Sequence, residues 1–527
     1  MGYGVAGVTV SVRDYSTYVA SMLRGFVCME GVTVRGPVNT PTLVSSWPEF
    51  QRKFGGYHDD YDFPELVKRA LDYGARVVVN RIVHYTSITD KTSITATAST
   101  VTLVDRDGAD TLGITAANEG AWSDGELTVA ITDGTLDPAN EFNMTVALET
   151  DPDLNETYQN LSMDPDADNY VLKVVNAASE LIKVANLSSA TTAPGNRPAV
   201  DESALTGGTD GLVGLNSNDY IGNETQQLGF YAFDSIDYSI VLSAPECVLL
   251  SDNGEAVHVA GLAYCSTHRE GMMGYVGTFE AGVTATGART ERIAWSLNNW
   301  AASMFYGEPE VVDPVTGNST KYINCLGDVL GCIARSHKER KEWFPAAGTV
   351  WGKMINVLGF RNDVGSAGRK AHADILADAQ INPCMTVRGI GPCVWGMDTT
   401  QKTASALRQL PTAWLVMVMK SALLEYGRGY CFMPNGPTTW RLMANELTPW
   451  LEQLKAETAF YAYALQCDQD APDIESGVLN TPVTIERGEL KCRIYIKPMI
   501  FAKWIGFEVV LTKTSARFQD FYNIAEL

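Results

Sequence analysis

Arg76-Val-Val-Val-Asn-Arg-Ile-Val83 follows Gly74 and the helix-patterned stretch Glu49 to Ala70, and its reading decides the fold class. An apolar-rich run of this kind, without period-two alternation, is how a strand buried on both faces of a sheet reads. Helices that feed such a strand predict an α/β parent domain. From Tyr85 to Phe230 the pattern changes to short alternating runs, such as Leu127 to Ile131 and Met144 to Leu148, separated by Asp, Gly, Asn and Pro turns. That stretch predicts a small, mostly β module. Asn176 to Val184 has helical spacing and is read as its one clear helix.

Charge divides the chain at the same places. The 527 residues carry 40 Lys and Arg against 62 Asp and Glu, a formal net charge of −22. Residues 85 to 230 hold 5 basic and 23 acidic residues, net −18, whereas residues 1 to 84 are net +1 and residues 402 to 527 are neutral. Such acidity disfavours a nucleic-acid or anionic-membrane partner. With 45% apolar residues the chain has enough to build several cores. The most apolar stretch, Ala413 to Leu424, contains Lys420 and is too short to span a bilayer. The N-terminus has no basic and apolar leader pattern, so folding in a cytosolic compartment is expected. The ten cysteines, scattered from Cys28 to Cys492 without a CxxC pair, are expected to be isolated buried thiols.

Beyond the module, Thr412 to Tyr426 predicts a buried helix stopped at Gly427. Trp440, Met443, Leu447, Trp450, Leu451 and Leu454 share one helical face, on which Pro449 predicts a kink or break. Two alternating strands follow: Leu490, Cys492, Ile494 and Ile496 on one face, then Ile505, Phe507, Val509 and Leu511. At the ends, Val8, Thr9, Val10, Ser11 and Val12 alternate without a local hairpin partner, and Phe518, Phe521 and Tyr522 extend past the last clear strand. Such tails either pack on their own domain or are donated to a neighbour.

No catalytic constellation emerges. Gly389-Ile-Gly391 lacks the spacing and the following Lys-Ser/Thr of a nucleotide loop and reads as a tight turn. Asp105-Arg-Asp107-Gly-Ala-Asp110 and Asp164-Pro-Asp166-Ala-Asp168 lack the downstream glutamate of a calcium loop and read as surface turns. Cys325, Cys332 and His337 match no common zinc spacing. Neither a catalytic residue, a metal nor a cofactor is assigned, so the chain is expected not to be an enzyme. A soluble hydrolase with an acidic β domain stays as an alternative of another class.

Gly25-Phe-Val-Cys-Met-Glu30-Gly-Val-Thr-Val-Arg-Gly36-Pro37-Val-Asn39-Thr40-Pro41, Trp47-Pro-Glu49-Phe50, Phe54-Gly55-Gly56 and Asp72-Tyr-Gly74-Ala-Arg76 closely resemble the N-terminal signature of contractile phage tail sheath proteins. The resemblance continues through Leu205 to Gly211, Asp219 to Gly222, Val312 to Gly317, Asn382-Pro, Val394-Trp-Gly396 and the strands around Lys497-Pro498. Met397-Asp398-Thr399-Thr400 departs from the Ala-Arg-Thr-Leu that usually follows Val-Trp-Gly in the family, which puts local salt bridges in doubt.

The resemblance implies a structural protein of the virion tail. In this reading, six-fold rings stack helically around the tail tube between baseplate and tail terminator, then contract to drive the tube through the host envelope. A pyocin-like or extracellular contractile injection system is the nearest alternative. The implied architecture is multidomain α+β (mixed α/β). It has an N-terminal arm, 1–21, donated to a neighbour; a sheath middle domain, 22–84 plus 231–400; an acidic β-rich outward insertion, 85–230; a tube-facing C-terminal domain, 401–511; and a C-terminal arm, 512–527. It makes Val8 to Val12, Phe518, Phe521 and Tyr522 inter-subunit arm residues. Ile494, Ile496, Phe507 and Val509 belong to the sheet that accepts neighbouring strands.

Overall fold

The computed structural model describes residues 25–58, 60–237, 239–365, 370–467 and 479–503. Its centre is a parallel sheet. The chain enters through β1 (Phe26–Gly31), turns through the short edge strand β2 (Thr42–Val44), and passes α1 (Trp47–Phe54) and α2 (Phe63–Asp72) to β3 (Arg76–Arg81). β3 lies parallel to β1 in the register Cys28 to Val78. The side chain of Ser46 caps α1 by accepting from Glu49 N, and Gly55 closes it at φ +84°. Trp47, Phe50 and Phe54 stack in succession along the helix.

After β3 the chain leaves the sheet. It builds β4 (Thr100–Val104), β5 (Asp110–Ala116), β6 (Leu127–Asp133), β7 (Glu141–Leu148), β8 (Glu156–Ser162), α3 (Val171–Ala178), β9 (Ile182–Asn186) and β10 (Asp201–Ala204). Two antiparallel sheets result, ordered β10-β6-β7-β8 and β4-β5-β9. They enclose a core of their own, in which Leu112, Ile114, Leu127, Val129, Phe142, Met144 and Val146 are buried. Alternation in β7 is complete: every second residue is buried, as a sheet with one wet face requires.

The helix expected over Asn176 to Val184 is displaced. α3 starts earlier and stops at Ala178, and Ile182 opens a strand. Two side chains cause this. Ser179 Oγ accepts from Leu181 N and Ile182 N, and Asn176 exchanges two hydrogen bonds with the backbone of Val184, at 2.9 and 2.8 Å.

The chain returns through α4 (Ser217–Ile221) to β11 (Val241–Ser243), which pairs with the other side of β1. Then α5 (Glu255–Ala263), β12 (Gly274–Gly277), α6 (Ala285–Ala294) and β13 (Ala302–Tyr306) extend the parallel sheet. β14 (Pro309–Val312), β15 (Thr320–Tyr322) and, beyond α7 (Leu326–Glu339) and α8 (Gly348–Trp351), β16 (Gly359–Phe360) form a small antiparallel sheet. α9 (Lys370–Asp378) leads to β17 (Ile381–Val387), parallel to β13, and β18 (Gly391–Val394) closes that edge as a hairpin. The turn expected at Gly389 is this hairpin loop, with Gly389 at φ +81°. The finished sheet runs β18-β17-β13-β12-β11-β1-β3-β2.

α2 and α7 pack closely because Gly327 and Gly331 carry no side chain; a Cβ on Gly331 would lie 2.4 Å from the Tyr73 ring. The buried carboxylate of Asp328 accepts two bonds from Arg69, at 2.9 and 2.8 Å, and one from Tyr73 Oη at 2.7 Å. That pair ties residues 259 positions apart.

The C-terminal part consists of α10 (Leu410–Arg428), α11 (Pro437–Ala456), β19 (Phe460–Gln466), α12 (Pro482–Glu486) and β20 (Arg493–Pro498). α10 continues through Gly427 to a cap at Gly429, past the expected stop. α11 continues through Pro449. In the turn that the proline disturbs, Thr448 Oγ1 donates to Ala444 O at 2.7 Å. The expected apolar face of α11 is buried at Trp440, Met443, Leu447, Leu451 and Leu454.

The expectation of ten isolated thiols is corrected: Cys467 and Cys492 form a disulfide. β19 and β20 pair antiparallel with Gln466 opposite Arg493, which sets the next residues, Cys467 and Cys492, across from each other with Cα atoms 4.4 Å apart. Eight cysteines are free, seven of them buried, and Cys431 is exposed.

Candidate assembly site

The β19–β20 hairpin is where the expected strand-accepting residues fall within the described chain. Ile494 and Ile496 share a face with Leu465 and Tyr463, their cross-strand partners. All four pack on a core built from Trp343, Leu415, Met419, Leu451 and Leu454. The other face carries Arg493, Tyr495 and Lys497, all exposed. Among the described residues β19 and β20 pair only with each other, so among these residues neither outer edge has a strand partner. An edge of this kind is a template for another strand. Val8, Thr9, Val10, Ser11, Val12, Phe507, Val509, Phe518, Phe521 and Tyr522 lie outside the described residues.

Contacts missed at the level of sequence hold this hairpin to the rest. α10 serves two cores at once, with Trp414 and Met417 in the main core and Leu415 and Met419 under the hairpin. Beyond β20, the side chain of Gln409 exchanges hydrogen bonds with both backbone groups of Phe501, and Lys503 pairs with Asp398. Alternation in Phe460-Tyr-Ala-Tyr-Ala-Leu-Gln466 was the available signal for the partner strand.

At the other end, the acidic module is clasped to the parent. Fully buried Arg81 donates to Gly36 O and, at 2.7 Å, to Glu119 O, and burial lowers its pKa to about 10. Arg35 lies over the Trp122 ring, 5.4 Å from its centroid, and 3.8 Å from Asp151. Where the chain leaves and returns, His84 Nδ1 meets buried Asp219 at 2.9 Å, and Asp219 also accepts from Tyr85 N and Asn216 N. Bridges Thr97 to Thr209 and Thr100 to Thr206 continue this neck outward.

The carboxyl end of a parallel sheet is where α/β enzymes place ligands. Here buried polar side chains stand at the ends of β1 and β11, and a small pocket lined by Thr278, Glu280, Tyr306, Glu308 and Asn362 lies beyond β12 and β13. Glu30 at the end of β1 lies opposite Asn80 of β3, and burial holds its carboxyl well above the usual range. Glu246 accepts from Phe63 N at 2.7 Å, and its burial raises it to about 8. His258 meets Tyr275 Oη at 2.9 Å and is lowered by burial to about 4. Each of these groups is buried.

The sequence-level metal candidates do not converge. Cys325 precedes α7, Cys332 lies within it, and His337 sits edge-on to Trp414 with its pKa lowered by burial to about 3. Among the described residues no group of three His, Cys, Asp or Glu is placed to hold a metal ion. Asp105 instead closes its own turn by accepting from Asp107 N, Ala109 N and Ser189 Oγ. Asp164 likewise accepts from Asp166 N.

Comparison with solved structures decides the fold. A sheath tail protein from Listeria innocua superposes with a TM-score of 0.58 at 12% identity, covering 83% of this chain and 85% of that one. The helical sheath of the anti-feeding prophage in its contracted state superposes at 0.54 and 12% identity, over 96% of this chain and 100% of that one. The chain has the tail-sheath fold.

In sequence it is similar to the tail sheath protein of Enterobacteria phage T4, 25% identical over 268 residues, half of this chain and 39% of that protein. It is also similar to the tail sheath protein of Vibrio phage KVP40, 25% identical over 200 residues, 38% of this chain and 28% of that one. The match thus spans well under half the length of these relatives. No protein-family model matches the chain.

Proposed function

We propose that this chain is a structural subunit of a contractile tail sheath, which polymerises as stacked six-fold rings around a tail tube and shortens to drive the tube through a host envelope. The observation that carries the proposal is the agreement with contracted-sheath chains over their whole length, joined to sequence similarity with phage tail sheath proteins. Partners follow from that role: other copies of the chain, a tube protein, a baseplate and a terminator. Its place is the virion tail, after assembly in the host cytoplasm.

The outer edges of β19 and β20, unpaired among the described residues, suit strands donated by a neighbour's Val8 to Val12 and by the arm bearing Phe518, Phe521 and Tyr522. Main-chain hydrogen bonds let such rings move without separating. The neutral C-terminal part, 401–511, suits the tube side, and the acidic insertion, 85–230, suits the outer surface, where like charge keeps particles apart. Parent segments 22–84 and 231–400 connect the two. Arms 1–21 and 512–527 lace the subunits.

Electron microscopy of the purified protein tests this reading, with tubes or stacked rings as the expected outcome; a monodisperse monomer at high concentration refutes it. Deletion of Met1 to Val12 is expected to leave a folded monomer that forms no tubes. Normal tubes from that truncation would exclude strand donation while leaving the sheath role intact. Likeness to the sheath of an extracellular contractile injection system supports a second reading, a subunit of such a particle, which the presence or absence of packaged DNA in intact particles decides.

A further inference from the structure

We propose that Cys467 and Cys492 form a redox-dependent clamp on the assembly hairpin, open as two thiols while the chain assembles and closed by oxidation after release. The bond joins the end of β19 to the start of β20, the two strands offered to neighbours. It encloses a separation of 25 residues, a span over which a cross-link restricts the open chain appreciably. Without it, one side chain holds the same neck: buried Asn480 donates to Cys467 O at 3.0 Å and Lys491 O at 3.1 Å, and accepts from Lys491 N at 2.8 Å. Asn480 therefore brings the two sulfurs together before they are bonded, while the bond adds the restraint that hydrogen bonds alone do not supply. A preset geometry of this kind makes closure fast and leaves the fold independent of it.

Surroundings decide the state. Reducing cytoplasm keeps thiols free, whereas a released particle meets oxidants. Closure needs a two-electron acceptor, here a small disulfide such as oxidised glutathione. One thiolate attacks it, breaking its S–S bond and expelling one glutathione thiolate. The second cysteine thiolate then displaces the other glutathione from the mixed disulfide. Two protons and two electrons leave the cysteines, one S–S bond forms, and two glutathione thiols result. Seven other described cysteines are buried, and Cys431 is exposed in the connection between α10 and α11, so it serves as the control thiol.

The timing rests on the sheath reading; the clamp itself does not. In the first experiment, cells are lysed into N-ethylmaleimide with denaturant, because Cys467 is buried, and peptides are mapped by mass. Cys467 and Cys492 are expected to be alkylated in the lysate and linked in purified particles. Finding the same state in both would overturn the timing. In the second, the purified chain is equilibrated with reduced or oxidised glutathione and digested briefly. Cleavage within 479–492 is expected several-fold faster for the reduced chain, because protease reads how often the neck opens. C467S/C492S should be cut at the fast rate in both conditions, and C431S should behave as wild type. Equal cleavage of wild type in both conditions would overturn the clamp, even where electron microscopy shows normal tubes. A redox-dependent rate from a chain that forms no tubes would instead sustain the clamp and overturn only its link to assembly.

Discussion

Glu246 shows how a single buried acid makes stability depend on pH. Its folded pKa is raised to about 8 by burial, from an ordinary value of 4.5. Because the fold favours the neutral form, the stabilisation is complete below about pH 4.5 and is lost as pH rises toward 8. By pH 7 the loss amounts to about 3 kcal/mol from this group alone. Glu246→Gln keeps an acceptor for Phe63 N and removes the titration. In urea titrations the wild type is expected to lose more stability than the variant between pH 5 and pH 8; the difference between the two chains isolates Glu246, because Glu30, raised in the same direction, and His258 and His337, lowered by burial and acting in the opposite sense, contribute equally to both. None of this was legible in sequence. Glu30 and Glu246 look like any acids until the sheet buries them, and Asp328 has no visible partner until α2 and α7 bring Arg69 to it.

Among the elements, glycines on two helices offer opposite outcomes. Gly331 on α7 faces the Tyr73 ring at a distance no Cβ tolerates, whereas Gly427 on α10 has nothing within 4 Å of a built Cβ. Gly331→Ala is expected to lower stability by about 2 kcal/mol through overpacking. Gly427→Ala should raise it by about 0.5–1 kcal/mol, because alanine loses less backbone entropy in a helix. Thermal melting of the two variants beside wild type checks both signs.

Elements with a strong apolar pattern, a continuous run or a helical stripe, were readable from the chain alone. The buried strand at Arg76 to Arg81 and the apolar face of α11 are such cases, since burial itself writes the pattern. Elements ended by side-chain hydrogen bonds were not. Asn176 and Ser179 end α3 through contacts that have no period, and Pro449 is tolerated inside a helix that composition alone would break. Half of the candidate assembly site shared the first kind of legibility. The alternation around Ile494 and Ile496 marked a strand, but its pairing with β19, and the disulfide that follows from the register, are products of tertiary structure.

The whole molecule has one sheet from which a second unit departs and to which it returns on neighbouring positions. β3 and β11 flank β1 on opposite sides, and the departing and returning chains meet at His84 and Asp219 before the Thr97 to Thr209 bridge. The two cores share no buried residue. Replacing residues 101–205 by a short Asn-Gly turn is therefore expected to leave a folded parent, seen as a cooperative thermal transition. Loss of the Arg81 and Arg35 clasp makes that transition occur at a lower temperature than in the full chain. A chain with no cooperative transition would show that the two units fold as one. If the expectation holds, the neck acts as a socket: lineages, or engineers, are able to exchange what plugs into it without rewriting the sheet beneath.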